Sequence, residues 1–186
     1  MENNWESIKQ KEIEYLEEKL KFFIGELEKI RSNRISLEII RDLIVNYQGG
    51  KKPLKSVANV RISPNYELVV RSFEPKAISS VKKAILDSQL GYNFERDTKD
   101  GDCFFTLVPI TTQIKDRLIK EAGSIAEEGK VALNLVRQKI RDLVKKNKDF
   151  SQDERRNYEN QIDKLKKDYE DKLNAAKEKK IKELSS

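Results

Sequence analysis

The spacing of apolar positions changes twice along the chain. In residues 5–31, Leu16, Leu20, Phe23, Leu27 and Ile30 recur at intervals of 4, 3, 4 and 3, and Trp5 and Ile8 extend the stripe toward the N-terminus. That spacing predicts an amphipathic helix of the kind that lines a bundle seam. Gly25 weakens it by about 1 kcal/mol relative to Ala without ending it. The period then shortens. After a short helix from Ser36 to about Arg41, the β-branched and aromatic run Leu43–Tyr47 is stopped by Gly49-Gly50 and Pro53. NVRISPNYELVVRSF reads as two short strands around the turn Ser63-Pro64-Asn65. KAISSVKKAILDSQLG places Ile78, Val81, Ile85 and Leu86 on one helical face, with Gly91 as its C-terminal stop. RDTKDGD reads as a polar turn and CFFTLV as the final strand.

Pro109 closes this module, and the helical period returns. Thr111 or Thr112 caps a helix that runs to about Lys148, on the order of 55 Å at 1.5 Å per residue. KNKDFSQDE is a break. Ser151 with Glu154 forms a capping box for a last helix, on which Ile162, Leu165, Tyr169, Leu173, Ala176, Ile181 and Leu184 form the apolar stripe. Three long helices with one apolar stripe each are not stable alone, so they are expected to pack as a three-helix bundle. The fold class is α+β. A bundle of residues 1–33 and 109–186 carries an inserted β/α/β domain, residues 34–108, and the two chain passages that join them can act as a hinge.

Charge sharpens this picture. Of the residues, 38% are charged and 37% hydrophobic, a lean balance for a compact globule and an ordinary one for long exposed helices. From Lys130 to Lys148 seven Lys or Arg face one acid, Asp142, a local excess equal to the net +6 of the whole chain. On a helical wheel Val136, Ile140, Leu143 and Val144 cluster on one side with Leu133 beside them. Lys130, Arg137, Arg141 and Lys148 form a separate face, an outward ridge spanning about 27 Å. With only Asp142 nearby to neutralise it, the ridge suits a row of phosphates. It lacks interleaved aromatics, so it should read backbone and shape rather than sequence. The bland alternative is a solvated helix face, with Lys145, Lys146 and Lys148 complementing the helix dipole. A second basic pair, Arg31 and Arg34, sits where the first helix gives way to the module. It is either a contact or clamp, or a helix-end cation and a carbonyl partner.

Candidate chemistry is sparse. There is no histidine, which removes His-based nucleophile systems and the commonest metal ligand. No phosphate-binding glycine motif is present. The single cysteine, Cys103, excludes a disulfide framework and reads as a small buried residue. Trp5 and the Phe22/Phe23 pair read as core. An acidic N-terminus without an apolar h-region and the lack of a membrane-spanning run favour the cytosol. An enzyme is not expected, and neither is a cofactor, metal or small-molecule substrate.

Five blocks, in order, resemble the bacterial ribosome recycling factor family over essentially the full length. KIRSNRIS resembles its Arg-x-Gly-Arg-Ala-Ser junction, VNYQGGKKPLKSVANVRI its strand-turn, and VKKAILDSQLGYN its Lys-Ala-Ile helix. VPITTQIKDRLIK matches the re-entry and EEGKVALNLVRQKIRDLVKK the basic helix. The resemblance implies an L-shaped protein with a flexible hinge at Ser32, Asn33, Arg34, Val108 and Pro109. It implies a monomer that binds large-subunit rRNA of the post-termination ribosome and, with elongation factor G and GTP, separates the subunits. It also gives rRNA-binding roles to Arg137, Arg31 and Arg34, and Lys130 and Arg141, with Lys139, are expected to take over the charge of the arginines missing beside Arg137. The match is uneven. Of the three arginines in the family's basic helix only Arg137 is kept, since Asn134 and Gln138 replace its neighbours. Asn33 stands where the family has glycine. PITTQIKDR lacks most of the family's basic pair. Two rivals stand beside this reading: a coiled-coil adaptor for another protein, and an RNA-binding or hibernation protein that needs no GTPase.

Overall fold

The structure, a computed structural model, describes residues 4–186. The chain divides into two compact units, residues 4–28 with 119–186, and Lys29–Leu118.

The first unit is helical. Helix α1 spans Trp5–Glu28, α4 spans Thr112–Lys146 and belongs to this unit from Ile119 onward, and α5 spans Gln152–Ser185. On α1 the buried apolar positions are Ile8, Leu16, Phe23 and Leu27. On α4 they include Ala122, Ala126, Leu133, Val136, Ile140 and Val144, and on α5 Ile162, Tyr169, Leu173 and Leu184. Each stripe keeps the three-to-four-residue spacing that puts it on one face. Gly129 lets α4 approach its neighbours closely. A β-carbon there would lie 2.6 Å from Leu173 Cδ2 and 3.1 Å from Phe23 Cγ. At the start of α4, Thr111 Oγ1 accepts from Ile114 N. At the start of α5 the capping box is complete: Ser151 Oγ accepts from Glu154 N, and Glu154 Oε2 accepts from Ser151 N. An aromatic cluster lies nearby, with Trp5 stacked on Tyr158 at 4.1 Å and Phe150 edge-on to the same ring.

Several expectations need correction. Helix α1 ends at Glu28, not near residue 31. Helix α4 ends at Lys146, so Lys148 lies in the following turn and not on the helical ridge. Leu143 is 37% exposed, at the margin of its stripe. Phe22 is exposed, while Phe23 is buried, because adjacent helical residues point about 100° apart.

The second unit is mixed. Helix α2, Leu37–Arg41, leads into a hairpin of β1, Ile44–Tyr47, and β2, Gly50–Pro53. A four-stranded antiparallel sheet has the order β3-β4-β6-β5. Its strands are Ala58–Ile62, Leu68–Ser72, Asp102–Leu107 and Tyr92–Asp97 respectively. Helix α3, Ile78–Asp87, buries Val81 and Ile85 in a core that includes Ile40, Val45, Leu54, Val70 and Phe105. Leu86, expected on that face, is exposed. Strands β2 and β5 lay outside the expected elements. Strand β5 is an edge strand with only Tyr92 buried and a register shift between Phe94 and Arg96, so it carries no alternating pattern to read. Cys103 is buried in β6. Burial, then its hydrogen bond to Asp97, pushes its thiol up to about 11, so it stays a protonated core residue.

Candidate functional site

The basic segment of α4 is one flank of the helix, with the buried stripe Leu133, Val136, Ile140 and Val144 beside it. Lys130, Arg137 and Arg141 are all half-buried on that flank, while Asn134, Gln138, Lys145 and Lys146 are exposed. The flank does not point freely outward, and Asp142 is not its neutralising acid. Arg137 Nε donates to Asp163 Oδ1 at 2.6 Å, and Arg141 Nη2 to Glu159 Oε2 at 2.6 Å. A second Arg141 nitrogen lies 4.0 Å from Asp163 Oδ1. Lys130 pairs with Glu127 at 3.1 Å. The Arg137 guanidinium holds the Asp163 carboxyl below its usual range. The hydrogen bond that Arg141 donates to Glu159 favours its protonated form and raises its pKa. The counter-charges of the two arginines therefore come from α5, a helix further along the chain, and that of Lys130 from α4 itself. The signal was present: Glu159 and Asp163 are four residues apart, like Arg137 and Arg141, and run in the opposite order, as antiparallel neighbours require. Lys139, between them in sequence, covers the Tyr15 ring at 4.4 Å.

Another carboxyl went unnoticed. Glu12 stands in the α1 stripe midway between Ile8 and Leu16, is 0% exposed, and both its oxygens are buried without a hydrogen-bond partner among the described residues. Burial, then the nearby Asp163 charge, pushes its pKa up to about 8, with Lys9 pulling in the other direction.

Arg31 and Arg34 fall in the second unit and differ from each other. Arg31 donates to the carbonyl of Val108, so it is not a helix-end cation, and its pKa is lowered by burial. Gly91, at φ +85°, admits it: a β-carbon there would overlap the Arg31 guanidinium. Beside it Asn33 Oδ1 accepts from Ile110 N at 2.9 Å, and Ser32 Oγ accepts from Arg34 N at 3.3 Å. The passages 31–34 and 108–110 are thus tied by two side chains. Asn33 uses its amide for one tie, which the family's glycine could not make. Arg34 is exposed.

Among the described residues, no group of three His, Cys, Asp or Glu side chains is placed to hold a metal ion, and no helix is long and apolar enough to cross a membrane. What the geometry offers is a row of three cations on one helix flank, each held by a carboxylate.

The chain is similar to known proteins over most of its length. The family profile described as "Ribosome recycling factor" matches residues 23–184. A ribosome-recycling factor of Thermosipho melanesiensis is 33% identical over 177 residues, covering 90% of this chain and 94% of that protein. One from a Synechocystis strain is 35% identical, covering 82% and 86%. A solution structure of a ribosome recycling factor superposes with a TM-score of 0.77 at 23% identity, covering 97% of each chain, which supports the fold. A Thermus thermophilus ribosome recycling factor, described with Escherichia coli elongation factor G bound to the Escherichia coli post-termination complex, gives a TM-score of 0.66 at 27% identity, covering 97% and 98%. With the profile spanning most of the chain and relatives at these identities matching nearly end to end, the chain belongs to the ribosome recycling factor family.

Proposed function

We propose that this chain is a cytoplasmic, monomeric translation factor that binds the post-termination ribosome and, with elongation factor G and GTP, splits it into subunits. It performs no bond chemistry itself. GTP hydrolysis belongs to the translocase, in keeping with the missing phosphate-binding loop here. The observation that carries the reading is the family match together with the arginine flank on α4. Arg137, Lys130 and Arg141 face large-subunit rRNA in this proposal, and their contacts go to phosphates, which supply affinity without reading sequence. Arg137 keeps its two terminal nitrogens for this, since Asp163 takes only Nε. Arg34 is assigned the same role on the strength of its exposure. Arg31, whose guanidinium is engaged with Val108, contributes chiefly by holding the junction. Ser32, Asn33, Arg34, Val108 and Pro109 form the joint.

The test is ribosome affinity measured across a salt series. Arg137→Ala is expected to weaken binding and to lower the slope of log affinity against log salt by about one unit. Unchanged affinity and slope would overturn the phosphate contact.

A further inference from the structure

We infer that Asp163 and Glu159 on α5 are positioning residues for the arginine flank: they fix the Arg137 and Arg141 guanidinium groups in the orientation that meets rRNA phosphate. This rests on the reading that Arg137 and Arg141 face phosphate.

The geometry carries it. Each carboxylate takes one guanidinium nitrogen at 2.6 Å, on the side facing α5. Arg137 is held at Nε and Arg141 at the terminal Nη2, and 33% and 27% of their side-chain surface stays exposed, so both guanidinium groups are fixed and still accessible. An unanchored arginine on a helix samples many rotamers, and ordering it on binding costs conformational entropy. A carboxylate that has already ordered it removes that cost, and the planar fork keeps its remaining donors in fixed directions. The arrangement matters more in this chain than in a flank with three arginines, because Asn134 and Gln138 contribute no charge.

Charge alone predicts the opposite sign. Asp163 and Glu159 are anions beside a polyanion, and removing either should tighten binding if they are bystanders. Positioning predicts that removing them loosens it. Post-termination ribosome affinity is therefore measured for Asp163→Asn, Arg137→Ala and the double variant, with thermal melting beside each. Asp168→Asn, an exposed acid on the same helix, reports the pure charge effect. The expected result is about threefold to tenfold weaker binding for Asp163→Asn, no further loss on adding it to Arg137→Ala, and equal or tighter binding for Asp168→Asn. Tighter binding by Asp163→Asn, matching the control, overturns the inference and leaves the Arg137 contact intact. An equal loss in the Arg137→Ala background also overturns it, because the residue then acts elsewhere. Arg137→Ala without effect removes the underlying reading instead. If Asp163→Asn does not fold, Glu159→Gln with Arg141→Ala runs the same cycle with the same expectations.

Discussion

Glu12 is the residue whose environment most conflicts with its chemistry. A carboxyl with 0% exposure and no hydrogen-bond partner is tolerable only when protonated. The groups facing it are Lys9 on its own helix and Asp163 and Tyr169 on α5. Its pKa of about 8 lies above the ordinary 4.5, so the folded state holds a proton that the unfolded chain releases. Stability is then full below about pH 4.5 and falls as pH rises toward 8, by about 1.4 kcal/mol per pH unit, on the order of 3 kcal/mol by neutrality. Glu12→Gln should flatten that slope. Urea unfolding at pH 5 and pH 8 measures it, and parallel losses in wild type and variant would contradict the burial account. The sequence held the clue, since residues 8, 12 and 16 share a helical face. A charged letter in a chain with 38% charged residues is read as surface, and only packing shows otherwise.

Among the elements, the long helices were legible because their apolar stripes repeat over many turns. Helix α5, the capping box and the start of α4 all follow from local signals. What one helix presents to another was not legible. A helical wheel places Arg137 and Arg141 on a flank but cannot supply Glu159 and Asp163, because interhelical register is a tertiary property. The same limit hid Gly129. In sequence it is a mild helix weakener. In the bundle it is the point of close approach to Leu173 and Phe23. Gly129→Ala gains helix propensity of about 1 kcal/mol and meets Leu173, an overpacking cost of about 1–3 kcal/mol. The net expectation is a lower melting temperature. An increase would mean that the neighbouring side chains yield freely. Strand β5 failed for a different reason. It pairs with β6 through backbone hydrogen bonds while five of its six side chains stay exposed, so nothing in its apolar pattern announces a strand.

At the scale of the whole molecule, a basic pI near 9.2 and a lean apolar fraction suit a protein drawn to a polyanion and built mainly of exposed helices. Charge gives attraction and on-rate, and shape must give the site. The ordered blocks that resemble the family were legible throughout, including where this chain departs from it at Asn33, Asn134 and Gln138. The paired acids partly explain how a flank with fewer arginines can still present ordered donors. The central claim is that this chain recycles ribosomes, and sucrose-gradient sedimentation of post-termination ribosomes from a matched source tests it most directly. The account predicts free subunits only when the protein, elongation factor G and GTP are all present, with intact ribosomes in every omission. Intact ribosomes carrying bound protein in the complete reaction, or no co-sedimentation at all, would contradict it.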